Sequence, residues 1–187
     1  MTSKLKVNLI NDGGDNNIIT SDGSGVITSS KFNIGQIVST TKTDTFTTTT
    51  SSFHDLTGLS LSITPTSTSS KILLSTQISF GGSASIYGFA RFMRDSTAIG
   101  VGDTGESNQQ RASIPMDTPN TSHDIYKCKN SAMTFLDSPS TTSSITYKIQ
   151  VLVHGSGTLN INRANNNDAQ PYNGRYVSSL TAMEVLP

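Results

Sequence analysis

Hydrophobic and polar positions alternate along most of this chain with the two-residue period of half-buried strands, and no segment carries a helical period. From Ile34 onward strand-like segments follow closely: 35–41, 43–50, 53–56, 59–64, 71–80, 87–94, 97–101, 132–138, 145–153, 158–162 and 177–186. Two stretches repeat one arrangement. Leu59–Thr64 leads into Pro65 and the hydroxyl run Thr66–Ser70, then into Lys71–Phe80; Ala132–Ser138 leads into Pro139 and Ser140–Ser144, then into Ile145–Val153. Proline removes a backbone donor and ends a strand, and serine and threonine bond their own backbone in turns. Each block is therefore expected to be an antiparallel connection between two arms, and the pair points to two related halves. Short strands with closely spaced turn signals predict an all-β antiparallel sandwich of the jelly-roll kind.

The first 35 residues have a different texture. Leu5, Val7 and Leu9 alternate with Lys6 and Asn8 as one short strand, and Asn11–Asn17 is a loop by composition. Ile18 to Ser21 and Val26 to Ser29, joined through Asp22-Gly-Ser-Gly25, predict a hairpin. An isolated hairpin is marginal in water, so this piece must lie on the main domain, on copies of itself or on a larger surface. The expected organisation is an N-terminal arm over 1–35 and a sandwich over 36–187.

Composition narrows the function. Serine and threonine fill about 55 of the 187 positions and charged residues 14%, which suits solvent-facing strand positions filled by hydroxyl side chains. Net charge is zero, with no lysine or arginine cluster, so neither nucleic acid nor an anionic membrane is an expected partner. One cysteine, Cys128, excludes an internal disulfide and a cysteine metal cluster, and is expected to be buried; synthesis in a reducing cytoplasm is the better expectation. The N-terminus lacks the apolar core of a signal peptide and no run has membrane-spanning length. Asn120-Thr-Ser122 matches a glycosylation sequon without other signs of a secretory route.

Catalytic patterns are thin. His54, His123 and His154 have no metal-ligand spacing, Asp55 beside His54 lacks a serine elbow, and Asp95, Asp103, Glu106, Asp117 and Asp124 lie in loop-like segments. The glycine patterns at Gly81-Gly82, Gly100–Gly102 and Gly155–Gly157 follow strands and precede no helix, so they are turn glycines. No cofactor, metal or catalytic residue is expected. Tyr87, Phe89 and Arg91 share one strand face and are the candidate recognition residues; packing or a subunit contact is preferred for them over a glycan site. The weakly patterned segment from Gly102 to Asn130 has the length of a contact loop.

Gln36–Phe46, Phe53–Leu74, Leu159–Arg163 and Arg175–Val185, in that order, resemble small virion proteins of tailed bacteriophages, of the tail-fibre, head-fibre or capsid-decoration type. The resemblance runs from about Gly35 to Val185 and rests on framework motifs. It implies a homotrimeric jelly roll, broadly like tumour-necrosis-factor domains, carried on a virion made in the bacterial host. It also implies docking on other virion proteins through the N-terminal arm, by Leu5, Val7, Leu9, Ile18, Ile19, Val26 and Ile27. The expected function is then a non-enzymatic structural protein aiding capsid stability or host adhesion. The alternatives are a carbohydrate-binding module of a tail fibre, using Tyr87 and the 102–130 loop on a host glycan, and a hydrolase with a cryptic site.

Overall fold

A computed structural model describes residues 9–11, 13–14, 17–21, 27–29, 33–83, 86–118 and 124–187. The strands are β1 (Leu9–Asn11), β2 (Asn17–Ser21), β3 (Ile27–Ser29), β4 (Ile34–Lys42), β5 (Phe46–Thr48), β6 (His54–Ile63), β7 (Lys71–Gly82) and β8 (Tyr87–Arg94). They continue with β9 (Thr97–Ile99), β10 (Ile114–Pro115), β11 (Lys129–Asp137), β12 (Ile145–His154), β13 (Leu159–Ile161) and β14 (Ser178–Val185). A single 3-10 turn, Asp124–Tyr126, is the only helical element among the described residues.

The strands make two packed antiparallel sheets and a small third. In one large sheet β7 pairs with β11 on one edge and with β14 and β13 end to end on the other, and these pair outward with β4 and β5. In the other, β8 pairs with β12, which pairs with β6, while β9 and β10 extend the far edge of β8. The layout β4–β14–β7–β11 over β6–β12–β8–β9/β10 is a jelly roll, as the strand pattern predicts. Alternating residues fill the space between the sheets. Leu56, Leu59, Ile63, Ile72, Leu74, Ile78, Phe92, Tyr147, Ile149, Leu159 and Leu180 are all buried there.

The two repeated blocks do something other than expected. Their arms do not pair with each other: β6 and β7 lie in different sheets, and so do β11 and β12. Each proline–hydroxyl run carries the chain across the core from one layer to the other. Local bonds hold both runs out of the ladders, from Ser69 N–H to Ser67 Oγ at 3.1 Å and from Ser143 N–H to Thr141 Oγ1 at 3.0 Å. The blocks instead pair with one another: Ile63 is opposite Ile145, and Ile72 opposite Asp137. The internal likeness is thus a pair of neighbouring corners at one end of the sandwich. Two further segments, expected as 53–56 and 59–64, fuse into the single strand β6, bent at Gly58, whose φ of 91° suits glycine.

At the N-terminus, β2 and β3 form the expected hairpin and β1 pairs with β2, giving a three-stranded sheet. Leu5, Val7 and Val26 lie outside the described residues. Ile34 and Gly35, expected in the arm, already belong to β4, where Ile34 is opposite Val185 of β14.

Candidate functional site

Two surfaces of the sandwich carry side chains that core packing does not absorb. The first is the outer face of the β8–β12–β6 sheet. Tyr87, Phe89 and Arg91 project there from β8, as alternation requires, while Gly88, Ala90 and Phe92 turn into the core. The register sets His154 beside Tyr87, Leu152 beside Phe89 and Gln150 beside Arg91.

Arg91 is engaged within this face. Its guanidinium lies over the Phe53 ring at 3.9 Å and donates twice to Gln150 Oε1, at 2.7 and 3.1 Å. Partial burial lowers its pKa without removing its charge. Gln150 in turn donates to Asp55 Oδ1 at 2.8 Å, and Lys148 Nζ lies 2.7 Å from Asp55 Oδ2. The hydrogen bonds from Lys148 and then Gln150 hold the Asp55 carboxyl below its usual range.

At the Tyr87 end the face opens into a hollow of about 470 Å³ lined by Tyr87, Phe89, His154, Asn108, Gln109 and Gln110. The three amides come from the connection between β9 and β10, part of the long segment that the sequence marks as a contact loop. That connection is tied at its base: Gly102 N–H donates to Ala112 O, Arg111 Nε to Gly102 O at 2.9 Å, and Ser113 N–H to Ala90 O at 2.9 Å. Within it, Gln109 Oε1 accepts from Glu106 N–H at 3.0 Å. Beside it, Met116 N–H donates to Gly88 O at 2.8 Å, and a Cβ at Gly88 would sit 2.5 Å from the Met116 carbonyl oxygen. Gly88 therefore admits the close approach of the two segments. Two of the three candidate recognition residues, Tyr87 and Phe89, meet the loop here, and Arg91 does not line the hollow.

The second surface is the outer face of the larger sheet. Across β11, β7, β14 and β4 the register aligns Leu136, Leu73, Met183 and Ile37 in one apolar row. Ile37 is 57% exposed and Leu136 46%. The next row is Thr134, Ser75, Thr181 and Ser39, and the one after it Ala132, Gln77, Ser179 and Thr41. None of these twelve positions is charged. No single-strand pattern announces this face, because the rows exist only once the register is set.

Among the described residues the candidate catalytic side chains are engaged separately. His54 and Asp55 are consecutive in β6 and point to opposite faces: His54 stacks on Phe46 and places Nδ1 3.0 Å from Ser52 O, while Asp55 belongs to the Lys148 pair. Asp95 Oδ1 accepts from Thr146 N–H, which ties the β8–β9 turn to β12, and Asp103 and Glu106 are exposed loop acids. Among the described residues no group of three or more His, Cys, Asp or Glu could hold a metal ion. Cys128 is half-buried, short of the full burial expected, and burial pushes its thiol up to about 11. His123 lies outside the described residues.

The buried polar groups that sequence reading missed are structural. Asn162, buried with φ of 62°, donates from Nδ2 to Lys42 O at 2.8 Å and Asp44 O at 2.9 Å, and accepts from Ser178 Oγ at 2.7 Å. Glu184, fully buried, accepts from Thr66 N–H at 2.6 Å, Thr66 Oγ1 at 2.7 Å and Gln36 Nε2 at 3.1 Å. Burial pushes its carboxyl up, but these bonds outweigh it and hold the pKa at about 2.

Neither a protein-family model nor a curated protein sequence matches the chain. Solved structures are similar at the level of the backbone. A chain of infectious bursal disease virus, Gx strain, shares 12% identity over 88% of this chain and 41% of its own length, with a TM-score of 0.40. The VP2 subviral particle of that virus gives 12%, 88%, 44% and 0.43, and its Gt strain 12%, 88%, 41% and 0.41. The present chain spans about two fifths of the length of those proteins. Backbone overlap of this extent carries no function across.

Proposed function

We propose that this protein is a non-enzymatic structural component of a bacteriophage virion, a jelly roll that assembles with copies of itself into a trimer and is fixed to the particle by its N-terminal sheet. The observation that carries the reading is a band of three uncharged rows on the outer face of the larger sheet, one of them Ile37, Met183, Leu73 and Leu136, with Lys71 at its edge. Four strands about 4.8 Å apart and roughly nine residues long span a face of about 600 Å². Each partner contributes roughly 800 Å² to a standard protein interface, so a second copy of similar size and neutral character suits it. Rows of small hydroxyl side chains allow close approach without desolvating a charge.

Support also comes from the framework motifs that resemble small phage virion proteins, and from the N-terminal sheet. That sheet of eleven residues is too small to stand alone, and Leu9 and Ile10 are both exposed on it. Exposed apolar residues on a piece that needs support suit docking on another virion protein, with Leu9 and Ile19 among the contacts.

Light scattering on the full chain, with cosedimentation against particles lacking the protein, tests this. A trimeric mass together with particle binding is the expected result. A monomer without particle affinity would overturn it. Removing residues 1–33 is expected to leave the trimer and abolish attachment.

A further inference from the structure

We infer that the hollow between Tyr87 and the 108–110 turn is a binding site for a neutral saccharide. The lining divides by chemistry. Tyr87 and Phe89 stand two residues apart on one strand face, roughly 6.6 Å along β8, and Tyr87 is 58% exposed. A buried tyrosine ring would be core; this one is exposed on a strand paired on both sides, where it can serve as a platform for the C–H face of a sugar ring. The rest of the lining is the amides of Asn108, Gln109 and Gln110 and the imidazole of His154, the register neighbour of Tyr87.

The amides of Asn108 and Gln110 each present a donor and an acceptor side by side, which matches vicinal hydroxyls better than it matches a carboxylate or a phosphate, while Gln109, its Oε1 taken by Glu106 N–H, adds a donor. Charge points the same way. No carboxylate, lysine or arginine lines the hollow. Arg91, the nearest cation on the strand, is held away by Phe53 and by its two bonds to Gln150. A volume of about 470 Å³ has room for a mono- or disaccharide, and falls in the range of roughly 300–1,000 Å³ usual for small-ligand sites. The loop is also held before any ligand arrives, by the bonds at Gly102, Arg111 and Ser113 and by the Glu106–Gln109 contact, which reduces the ordering cost of binding.

The inference is independent of the assembly reading, since the hollow lies on the other sheet. Saturation-transfer NMR on the full chain, with glucose, galactose, rhamnose and N-acetylglucosamine as monosaccharides and as oligosaccharides, tests it. Sialic acid and glucuronic acid serve as charged probes. The expected result is transfer to the ring protons of at least one neutral sugar. Tyr87→Ala and the double variant Asn108→Ala/Gln110→Ala should each weaken it at least tenfold, while Tyr172→Ala, an exposed tyrosine elsewhere, leaves it unchanged.

Tyr87→Ala removes only an exposed ring, and an unaltered melting temperature separates lost binding from lost fold. Transfer to oligosaccharides alone identifies a surface polymer as the source, and equal transfer to monomers identifies a free sugar; both support the site. No transfer from any neutral sugar, transfer confined to the acidic ones, or transfer indifferent to Tyr87→Ala would overturn it. None of these outcomes depends on the oligomeric mass.

Discussion

The Tyr147 hydroxyl donates to Asp137 Oδ2 at 2.6 Å, and with that bond β12 of one sheet holds the end of β11 in the other. Arg94 Nη1 reaches both oxygens of the same carboxylate, at 2.9 and 3.0 Å. Burial and then the neighbouring carboxylate push the Tyr147 hydroxyl far up, so it stays a donor at any ordinary pH. Tyr147→Phe should cost about 1–3 kcal/mol, since it strips one donor from a buried carboxylate that keeps Arg94. Asp137→Ala should cost more, because it strands both partners at once. Urea unfolding of the two variants measures the difference; no cost for Tyr147→Phe would show that Tyr147 contributes through packing alone, and equal costs would remove Arg94 from the account.

Asn162 predicts a separation of backbone from side-chain effects. At φ of 62° glycine fits freely, whereas alanine is strained. Both substitutions lose the bonds to Lys42 O, Asp44 O and Ser178 Oγ. Asn162→Gly should therefore destabilise by about 2 kcal/mol or more, and Asn162→Ala by about 1 kcal/mol beyond that. Thermal melts of both, referred to the parent chain, check the order.

Glu184 sets an acid limit. Its folded pKa of about 2 lies below the ordinary 4.5, so its contribution is complete above pH 4.5 and disappears as pH falls toward 2. Stability should drop across that window in the parent chain and drop less in Glu184→Gln. A pH series of denaturant midpoints reads this directly, and parallel slopes would remove Glu184 from the account.

The apolar row predicts the effect of charge at the proposed copy-to-copy face. Ile37 and Leu136 are exposed in the single chain, so Ile37→Glu with Leu136→Glu should leave the melting of a monomer little changed. In the assembled protein the pair should reduce the mass in solution to that of one chain. An unchanged mass would place the contact elsewhere.

Cys128 should be slow to react. With its thiol at about 11 rather than 9, the thiolate fraction at pH 8 falls about a hundredfold. The less available thiolate is also the more nucleophilic one, so labelling by a disulfide reagent should lag a free thiol by about tenfold in the folded protein and recover in denaturant. Fast labelling in the native state would contradict the burial.

Strand content and turns were legible in the sequence because each rests on local chemistry: period-two alternation in β7 and β12, the Asp95-Ser96 turn of the β8–β9 hairpin, and the prolines that end β6 and β11. What those prolines join was not legible. Pro65 and Pro139 show where a strand stops, but whether the next strand pairs or crosses the core depends on partners far along the chain. The same holds for the hollow. Tyr87 and the 102–130 segment each carried a local signal, whereas the meeting of Tyr87 with Asn108 and Gln110 follows from the β8–β10 register. Asn162 and Glu184 gave no signal, since a single polar residue in a strand-rich segment looks solvated until its partners are known.

The pairing of β4 with β14 bears on how the protein is made. Ile34 and Val185 are opposite one another though about 150 positions apart. A chain emerging from the ribosome has β4 and β7 long before the strand that separates them. Until β14 arrives, the larger sheet has a missing middle, two unpaired edges and an uncovered core. Folding is therefore a late event of synthesis, and a chain stopped short of residue 178 would leave a sticky intermediate in place of a smaller domain.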